Sequence, residues 1–347
     1  MAGDGTRSGS QADRIAVKQT NLVGIDGSAK FLVVKIDKCG QIQDDTFEFE
    51  NTSAGHQKLY KFITKRGAKA KVCMEATGVY HLNLSLYLSK CNNVEVMVVN
   101  PRAIKHFALA SMQRAKTDIL DAAVILQFLQ CMPFVQWAPP SDKYIEIQAI
   151  SRRLSQLKAE MVREKNRRHS GDYNAGMVNL INNDIAVNIR HLERRIKQLE
   201  QTAVEIVKSD TKLAQQFDLL TTIKGFATTS AVQVMAELVC LPDDMRAEQW
   251  VAYAGLDPRP CQSGTSLDKG RRISKVGNKY LRTALYMPAL VAIRYEPTVK
   301  GFYEKLIAAG KKPLQAIVAV MRKLLHAIWG MLQTDTEWDG SKFYRAA

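Results

Sequence analysis

Apolar residues in the first 137 positions alternate between short strand-like runs and longer stretches of helical spacing. Runs at 22–25 and 31–36 flank the turn sequence GSAK and predict a β-hairpin. Further runs predict strands at 46–49, 71–74 and 94–99, and helical spacing predicts helices at 53–66, at 80–89 and from 118 onward. Antiparallel strands followed by β-α-β alternation indicate a mixed sheet with helices on its faces. The N-terminal block is therefore predicted to be an α/β domain.

The middle of the chain has a different pattern, in which apolar positions recur at steps of three and four. These heptad stripes run from Ile147 to Met161 and from Ile185 to Ile206. Two such helices either fold back on each other or pair with another subunit, and we expect the segment to mediate oligomerisation. The predicted organisation is a disordered tail at 1–20, an α/β domain at 21–137, a helical coiled coil at 138–210 and a mainly helical domain at 211–347.

The charge balance narrows the class of partner. Among 347 residues, 49 Lys and Arg stand against 34 Asp and Glu, a formal charge of +15 that favours a polyanion. No apolar run approaches the roughly 18 residues of a membrane span, and the first twenty residues lack the apolar core of a signal peptide. Six scattered cysteines without a C-x-x-C pair predict reduced, buried thiols. We expect a cytoplasmic protein without a membrane segment.

Basic side chains that are candidates for phosphate contacts concentrate in two segments. In the coiled coil, a solvated helix face explains them equally well. Between 255 and 282 the chain is basic and punctuated by glycines. The candidates in the two segments are Arg152, Arg153, Arg167 and Arg168, and Arg271, Arg272, Lys275 and Lys279.

Four acidic residues border the ends of predicted elements. Asp26 and Glu75 each follow the apolar run of a strand, and Asp118 and Asp121 begin a helix three residues apart, so both project from one face. Four converging carboxylates are tolerable only beside cations, and ligand sets made of oxygen favour Mg²⁺ or Mn²⁺. Such ions assist phosphoryl transfer. Taken singly, each acid also has an ordinary explanation as a turn residue, a strand-end acid or a helix cap.

The motifs around these acids resemble those of the DEDD transposases of the IS110/Piv type. They are GID, EATG followed by Tyr80, VVNP and KTDILDA, in that order. The segments AYAGLDPRPCQSGTS and GRRISKVGNKYLRTALYMPAL resemble the second domain of the same family. The resemblance covers about residues 22–335. It implies a RuvC-like, RNase H-type first domain whose four acids, Asp26, Glu75, Asp118 and Asp121, bind Mg²⁺ or Mn²⁺.

The resemblance also implies a nucleophilic serine in an SG-x-S loop, which matches Ser263. On physical grounds alone, Ser266 and Ser274 are rivals. Attack by a serine hydroxyl leaves a covalent phosphoserine link, which conserves bond energy for rejoining.

The implied function is that of a DNA transposase or site-specific recombinase of an insertion sequence. Its expected partners are double-stranded DNA, a guide RNA encoded by the element, and further copies of the chain, as a homodimer that assembles to a tetramer on DNA. Three alternatives stay open: a metal-dependent nuclease or junction resolvase that uses water, a Piv-like invertase without RNA, and a nucleic-acid-binding scaffold without chemistry.

Overall fold

The structure is a computed structural model that describes residues 20–76, 78–111, 118–172, 179–242, 244–259, 262–263, 267–268 and 272–344. The predicted tail lies outside these ranges except for Thr20. The chain divides into two compact units, Met1–Pro139 and Pro140–Ala347.

The first unit is built on a six-stranded sheet. Its strands are β1 (Thr20–Gly27), β2 (Phe31–Lys38), β3 (Gln41–Ile42), β4 (Phe47–Glu50), β5 (Lys69–Glu75) and β6 (Val94–Val99). The strand order is β3-β2-β1-β5-β6, and β4 pairs with β2. Strand β1 is antiparallel to β2 and parallel to β5, which is parallel to β6. The predicted mixed sheet is confirmed.

In the described part of this unit, four α-helices accompany the sheet: α1 (Ser53–Ile63), α2 (Leu82–Ser89), α3 (Pro101–Ala110) and α4 (Asp118–Cys131). A 3-10 turn, Lys65–Gly67, follows α1. The sequence patterns predict no helix at α3, since the apolar run at 94–99 indicates only a strand. Asn100 and Pro101 start the helix: the Asn100 side chain accepts a hydrogen bond from the Arg102 N–H, and Pro101 occupies the first turn.

Alternate residues of the strands point to opposite faces of the sheet, and each face has its own hydrophobic core. Helices α1 and α2 pack on the face that carries Val23, Ile25 and Val72. Helices α3 and α4 pack on the other face, against Cys73 and Met97. This second face bears the acidic residues described below.

The second unit begins with a long helical hairpin of α5 (Asp142–Asp172) and α6 (Asn179–Lys208). The heptad residues of the two helices pack on each other, with Leu154, Leu157, Leu192 and Ile196 at the centre. Salt bridges of 3.3 and 3.5 Å join Lys158 to Glu200 and Lys165 to Glu193, which makes the pair antiparallel. Of the two alternatives for the heptads, the chain adopts the fold-back. Oligomerisation through this segment stays a prediction.

The rest of the second unit is mainly helical. Its helices are α7 (Thr211–Thr221), α8 (Thr228–Leu238), α9 (Ala247–Tyr253), α10 (Lys279–Ala284), α11 (Tyr286–Tyr295), α12 (Pro297–Ala308), α13 (Pro313–Thr334) and α14 (Gly340–Phe343). Two small antiparallel ladders pair β7 (Pro258–Arg259) with β10 (Arg272–Ile273), and β8 (Gln262–Ser263) with β9 (Leu267–Asp268). These helices share one core with Ile147, Ala203 and Val207 of the hairpin.

Helix α13 is the one described helix that is long and apolar enough to cross a membrane by length and composition. Its residues Val320, Leu324 and Ile328 are buried in the core of the second unit. Packing inside the protein therefore accounts for this apolar face of the helix.

Candidate functional site

Asp26 and Glu75 lie at the carboxyl ends of two adjacent parallel strands. Ile25 of β1 is in register with Met74 of β5, so Asp26 and Glu75 follow at the same level. Residues in register on parallel strands point to the same face, and neighbouring strands are about 4.8 Å apart. Both side chains are half-buried. The register thus brings together two carboxylates that are separated in sequence by β2, β4 and α1.

Helix α4 lies on the same face and approaches β1 very closely at Gly24. A Cβ atom at Gly24 would lie 2.4 Å from the Leu126 nitrogen and 2.5 Å from the Ala122 oxygen. Further along α4, the Gln130 Nε2 donates to the Asp37 carboxylate at 2.9 Å, and Asp37 is in register with Leu22. The helix therefore runs antiparallel to β1, with its N-terminal end directed to the strand end that carries Asp26.

The rise per residue in strands and helices shows how far the two acids of α4, Asp118 and Asp121, lie from Gly24 along the direction of β1. Asp26 lies about 6.6 Å beyond Gly24 along the strand. On the helix, Asp121 and Asp118 lie about 4.5 and 9 Å beyond the turn that covers Gly24. The backbone thus brings both helix positions to the end of the sheet where Asp26 and Glu75 lie. The Asp121 side chain is half-buried, whereas that of Asp118 lies outside what the structure describes.

The donor set at this edge is made of carboxylate oxygens, which suit a hard divalent cation. Among the described residues, no group of three or more His, Cys, Asp or Glu side chains is close enough to hold a metal ion. The structure therefore places the pair Asp26 and Glu75 together, and the predicted four-acid cluster stays a prediction.

In the second unit, Ser263 belongs to the segment 258–273, which we call the extension. Backbone hydrogen bonds join residues 253–257 to residues 274–278, and these two stretches form the base of the extension. Tyr253, Gly255 and Asp257 accept backbone hydrogen bonds from Asn278, Lys275 and Ser274, at 2.6, 3.1 and 2.8 Å. The β7–β10 ladder continues this pairing, and Ser263 pairs with Leu267 in the ladder beyond it. Ser266 and the Ser263 side chain lie outside the described residues.

Glycine is required where the two backbone segments of this base, 253–257 and 274–278, approach each other. Gly277 has a φ of +120°, and a Cβ there would lie 2.2 Å from the Tyr253 carbonyl oxygen. Gly255 has a φ of +65°, and its Cβ would lie 2.7 Å from the Val276 oxygen. Two of the glycines in the segment 255–282 are therefore explained by the close approach of one backbone segment to another.

A buried charge network fixes this base to the helical hairpin. Glu237 of α8 is completely buried. Its carboxylate accepts from the Arg152 Nε and Nη2 at 3.2 and 3.3 Å, and from the Asn278 Nδ2 at 2.7 Å. The Arg152 guanidinium also lies over the Tyr280 ring, 5.1 Å from its centroid. Burial opposes the charge of Arg152, but the hydrogen bond and the charge of Glu237 outweigh it and raise the pKa of Arg152.

Sequence reasoning missed Glu237, Tyr253 and Asn278. Asn278 also donates to the Tyr253 hydroxyl at 2.8 Å, and burial raises the pKa of that phenol. An acid within the apolar run VQVMAELVCL was the available signal, since a charged residue there needs a buried partner.

The predicted nucleic-acid contacts occupy varied environments. Arg152 is engaged by Glu237, Arg153 donates to Gln156 at 3.0 Å, and Arg167 forms a salt bridge with Glu164. Exposed side chains belong to Arg168, Lys275 and Lys279. Arg271 and the Arg272 side chain lie outside the described residues. Phosphate contact by any of these residues stays a prediction.

The cysteines depart from the prediction of buried thiols. Cys73 is buried, and burial raises its pKa to about 12. Cys240 is half-buried, and its pKa is raised to about 11, mainly by burial. Cys39 and Cys131, however, are exposed, so the prediction was wrong for these two. Cys39 lies in a turn, and Cys131 ends α4.

Comparison with known proteins identifies the class. Residues 23–170 match a DEDD-type family model described as transposase, and residues 217–304 match the model of the transposase IS116/IS110/IS902 family. Both are models of transposases, so the chain is an enzyme that cuts and rejoins DNA.

Individual relatives support the same conclusion. The pilin gene-inverting protein of Moraxella bovis is 28% identical over 296 residues, which is 84% of this chain and 89% of that protein. The pilin gene-inverting protein of Moraxella lacunata is 30% identical over 268 residues, 77% of this chain and 81% of that protein. An uncharacterized 42 kDa protein of insertion element IS900 from Mycobacterium paratuberculosis is 27% identical over 150 residues, 40% of this chain and 37% of that protein. The chain belongs to the IS116/IS110/IS902 transposase family, which confirms the resemblance found in the motifs.

Proposed function

We propose that the chain is the recombinase of an insertion sequence, with a RuvC-like first unit and a serine nucleophile. Asp26, Glu75, Asp118 and Asp121 bind Mg²⁺ or Mn²⁺, and Ser263 attacks the DNA phosphodiester. The observation that carries the proposal is the register of Asp26 with Glu75 at adjacent parallel strand ends, on the face where α4 runs antiparallel.

The chemistry divides between the two sets of residues. The Ser263 oxygen forms a bond to phosphorus, the bond from phosphorus to one deoxyribose oxygen breaks, and that oxygen leaves as a hydroxyl with the proton of the serine. Bound divalent ions supply Lewis-acid stabilisation of the phosphate oxygens. Rejoining reverses these bond changes with a different deoxyribose hydroxyl.

The surroundings of Ser274 argue against Ser274 as the nucleophile and leave Ser263 and Ser266. The Ser274 hydroxyl hydrogen-bonds with the Asp257 carboxylate and accepts from the Val276 N–H at 3.2 Å. Both contacts lie within the base of the extension and explain Ser274 as a turn residue.

The proposed substrate is double-stranded DNA, with a guide RNA and a homodimer that assembles to a tetramer as further partners. The formal charge of +15 supports a nucleic-acid partner. Inversion of a DNA segment, the action in the names of the Moraxella relatives, is the alternative to insertion. Sequencing the nucleic acid that copurifies with the protein tests the guide: a discrete RNA supports it, and its absence from active protein refutes it.

Trapping of a covalent intermediate tests the nucleophile. Incubation with a cognate donor DNA is expected to give a protein–DNA adduct that Ser263→Ala abolishes and Ser266→Ala retains. If Ser263→Ala still cleaves DNA without an adduct, water is the nucleophile and the enzyme is a nuclease or resolvase.

The carboxylates are tested separately with Glu75→Gln, and the exposed Asp45→Asn is the control for loss of a negative charge in the same unit. Cleavage is expected to be lost in Glu75→Gln and in excess chelator, and to persist in Asp45→Asn. Unchanged cleavage in Glu75→Gln would contradict the metal site.

A further inference from the structure

A groove of about 1010 Å³ opens on the surface of the second unit. It is lined by residues of α10, α11, α12, the N-terminal part of α13, and the β7–β10 ladder. Its apolar side chains include Tyr286, Met287 and Leu314, which are 37%, 59% and 61% exposed. A concave surface lined mainly by apolar side chains with a few polar groups is typical of a binding site.

The charged residues of the groove are all basic. Five cations and no acidic side chain occur among the described residues that line it: Lys275, Arg282, Lys311, Lys312 and Arg322. An occupant that complements this lining carries negative charges and apolar groups together. Duplex DNA keeps its base faces stacked inside, whereas an unpaired strand presents phosphates and base faces at once.

Two further observations restrict the class of molecule that can occupy the groove. The chain's own segment 1–19 carries Arg7, Arg14 and Lys18 against Asp4 and Asp13, so its charge has the same sign as the groove. Apart from the Tyr286 hydroxyl, the uncharged polar side chains of the described lining are those of Thr283 and Gln315. The described lining therefore offers few side-chain acceptors for the proton of a 2′-hydroxyl, which favours DNA over RNA.

The position of the groove connects it with the proposed reaction. Pro258 and Ile273 line it and pair with each other in the β7–β10 ladder. The chain between these strands contains Ser263, so the segment that carries Ser263 starts and ends at the edge of the groove.

We propose that this groove binds an unpaired DNA strand, with bases on Tyr286, Met287 and Leu314 and phosphates on the basic rim. The inference rests on the proposed function only in assigning the strand to a recombination intermediate. Strand binding can be measured without cleavage.

Fluorescence anisotropy with a labelled oligothymidylate tests the groove. Tyr286→Ala is expected to weaken binding roughly 5- to 150-fold, the loss of one base stack. Tyr295→Ala is the matched control, because Tyr295 ends the same helix, is 60% exposed and lies outside the groove lining. It should bind as the wild type does. Met287→Ala provides a second groove variant, and circular dichroism checks that each variant is folded.

The basic residues of the groove are tested separately, by the salt dependence of oligothymidylate binding. Lys312→Gln is expected to reduce the slope of log affinity against log salt by about 0.7. Lys208→Gln, an exposed lysine at the end of α6, should not change the slope.

Equal oligothymidylate affinity in Tyr286→Ala, Met287→Ala and wild type would overturn the inference, even if the enzyme recombines DNA. So would tighter binding of an oligouridylate of the same length. An acidic amphipathic peptide whose binding depends on Tyr286, while oligothymidylate binding does not, would make the groove a protein-docking surface instead. If oligothymidylate binding follows the groove variants but no adduct forms at Ser263, the inference stands and the proposed nucleophile fails.

Discussion

Replacement of Arg152 by leucine would leave the carboxylate of Glu237 buried without its cationic partner. The Glu237 side chain is 0% exposed and that of Arg152 is 36% exposed. Breaking a buried ion pair by removing one partner costs about 3–5 kcal/mol. Because Arg152 is partly open to water and Asn278 still donates to Glu237, we expect the lower end, about 3 kcal/mol.

Thermal unfolding followed by circular dichroism measures this loss. For a unit of this size, about 3 kcal/mol lowers the Tm by roughly 6–12 °C. Arg153→Leu is the matched control, because the neighbouring Arg153 contacts Gln156 on the same helix rather than a buried acid. It should change the Tm by no more than about 2 °C, as most surface substitutions do.

A second substitution separates loss of the pair from loss of packing. Arg152→Leu combined with Glu237→Gln removes the buried charge but keeps an acceptor for Asn278, so the double variant should regain a large part of the stability. If Arg152→Leu melts as Arg153→Leu does, or if Glu237→Gln fails to rescue it, the buried charge does not hold the base of the serine-bearing extension to the hairpin.

Two further predictions concern the first unit. Gly24→Ala is expected to destabilise this unit by about 3 kcal/mol or more, because the new Cβ would lie 2.4 Å from the α4 backbone. Gly27→Ala is the control, because its Cβ would lie 3.7 Å from the nearest atom, an ordinary contact distance. Denaturant unfolding should show a large loss of stability in Gly24→Ala and little in Gly27→Ala. Thiol labelling at pH 8 should modify the exposed Cys39 before Cys73, whose burial raises its pKa to about 12. Mass spectrometry of labelled peptides checks the order, and equal rates at the two sites in folded protein would contradict the structure.

The periodicity of the sequence determined most elements of the first unit. Alternation predicted β1 and β2 as a hairpin, since each must bury one apolar face. The sequence also showed Asp26 and Glu75 next to strand ends, because an acid that closes an apolar run is a local feature. Helix α3 was missed although its cap and its proline were visible, so that error lay in interpretation rather than in missing information.

Only the tertiary structure decided which distant residues meet. The pairing of β1 with β5 sets Asp26 level with Glu75, and the contact of α4 with Gly24 sets the direction of that helix. The heptads allowed two arrangements, and the fold-back follows from packing of α5 on α6. A local pattern specifies which face of an element is apolar, but the partner of that face, and of a buried charge such as Glu237, depends on residues far away along the chain.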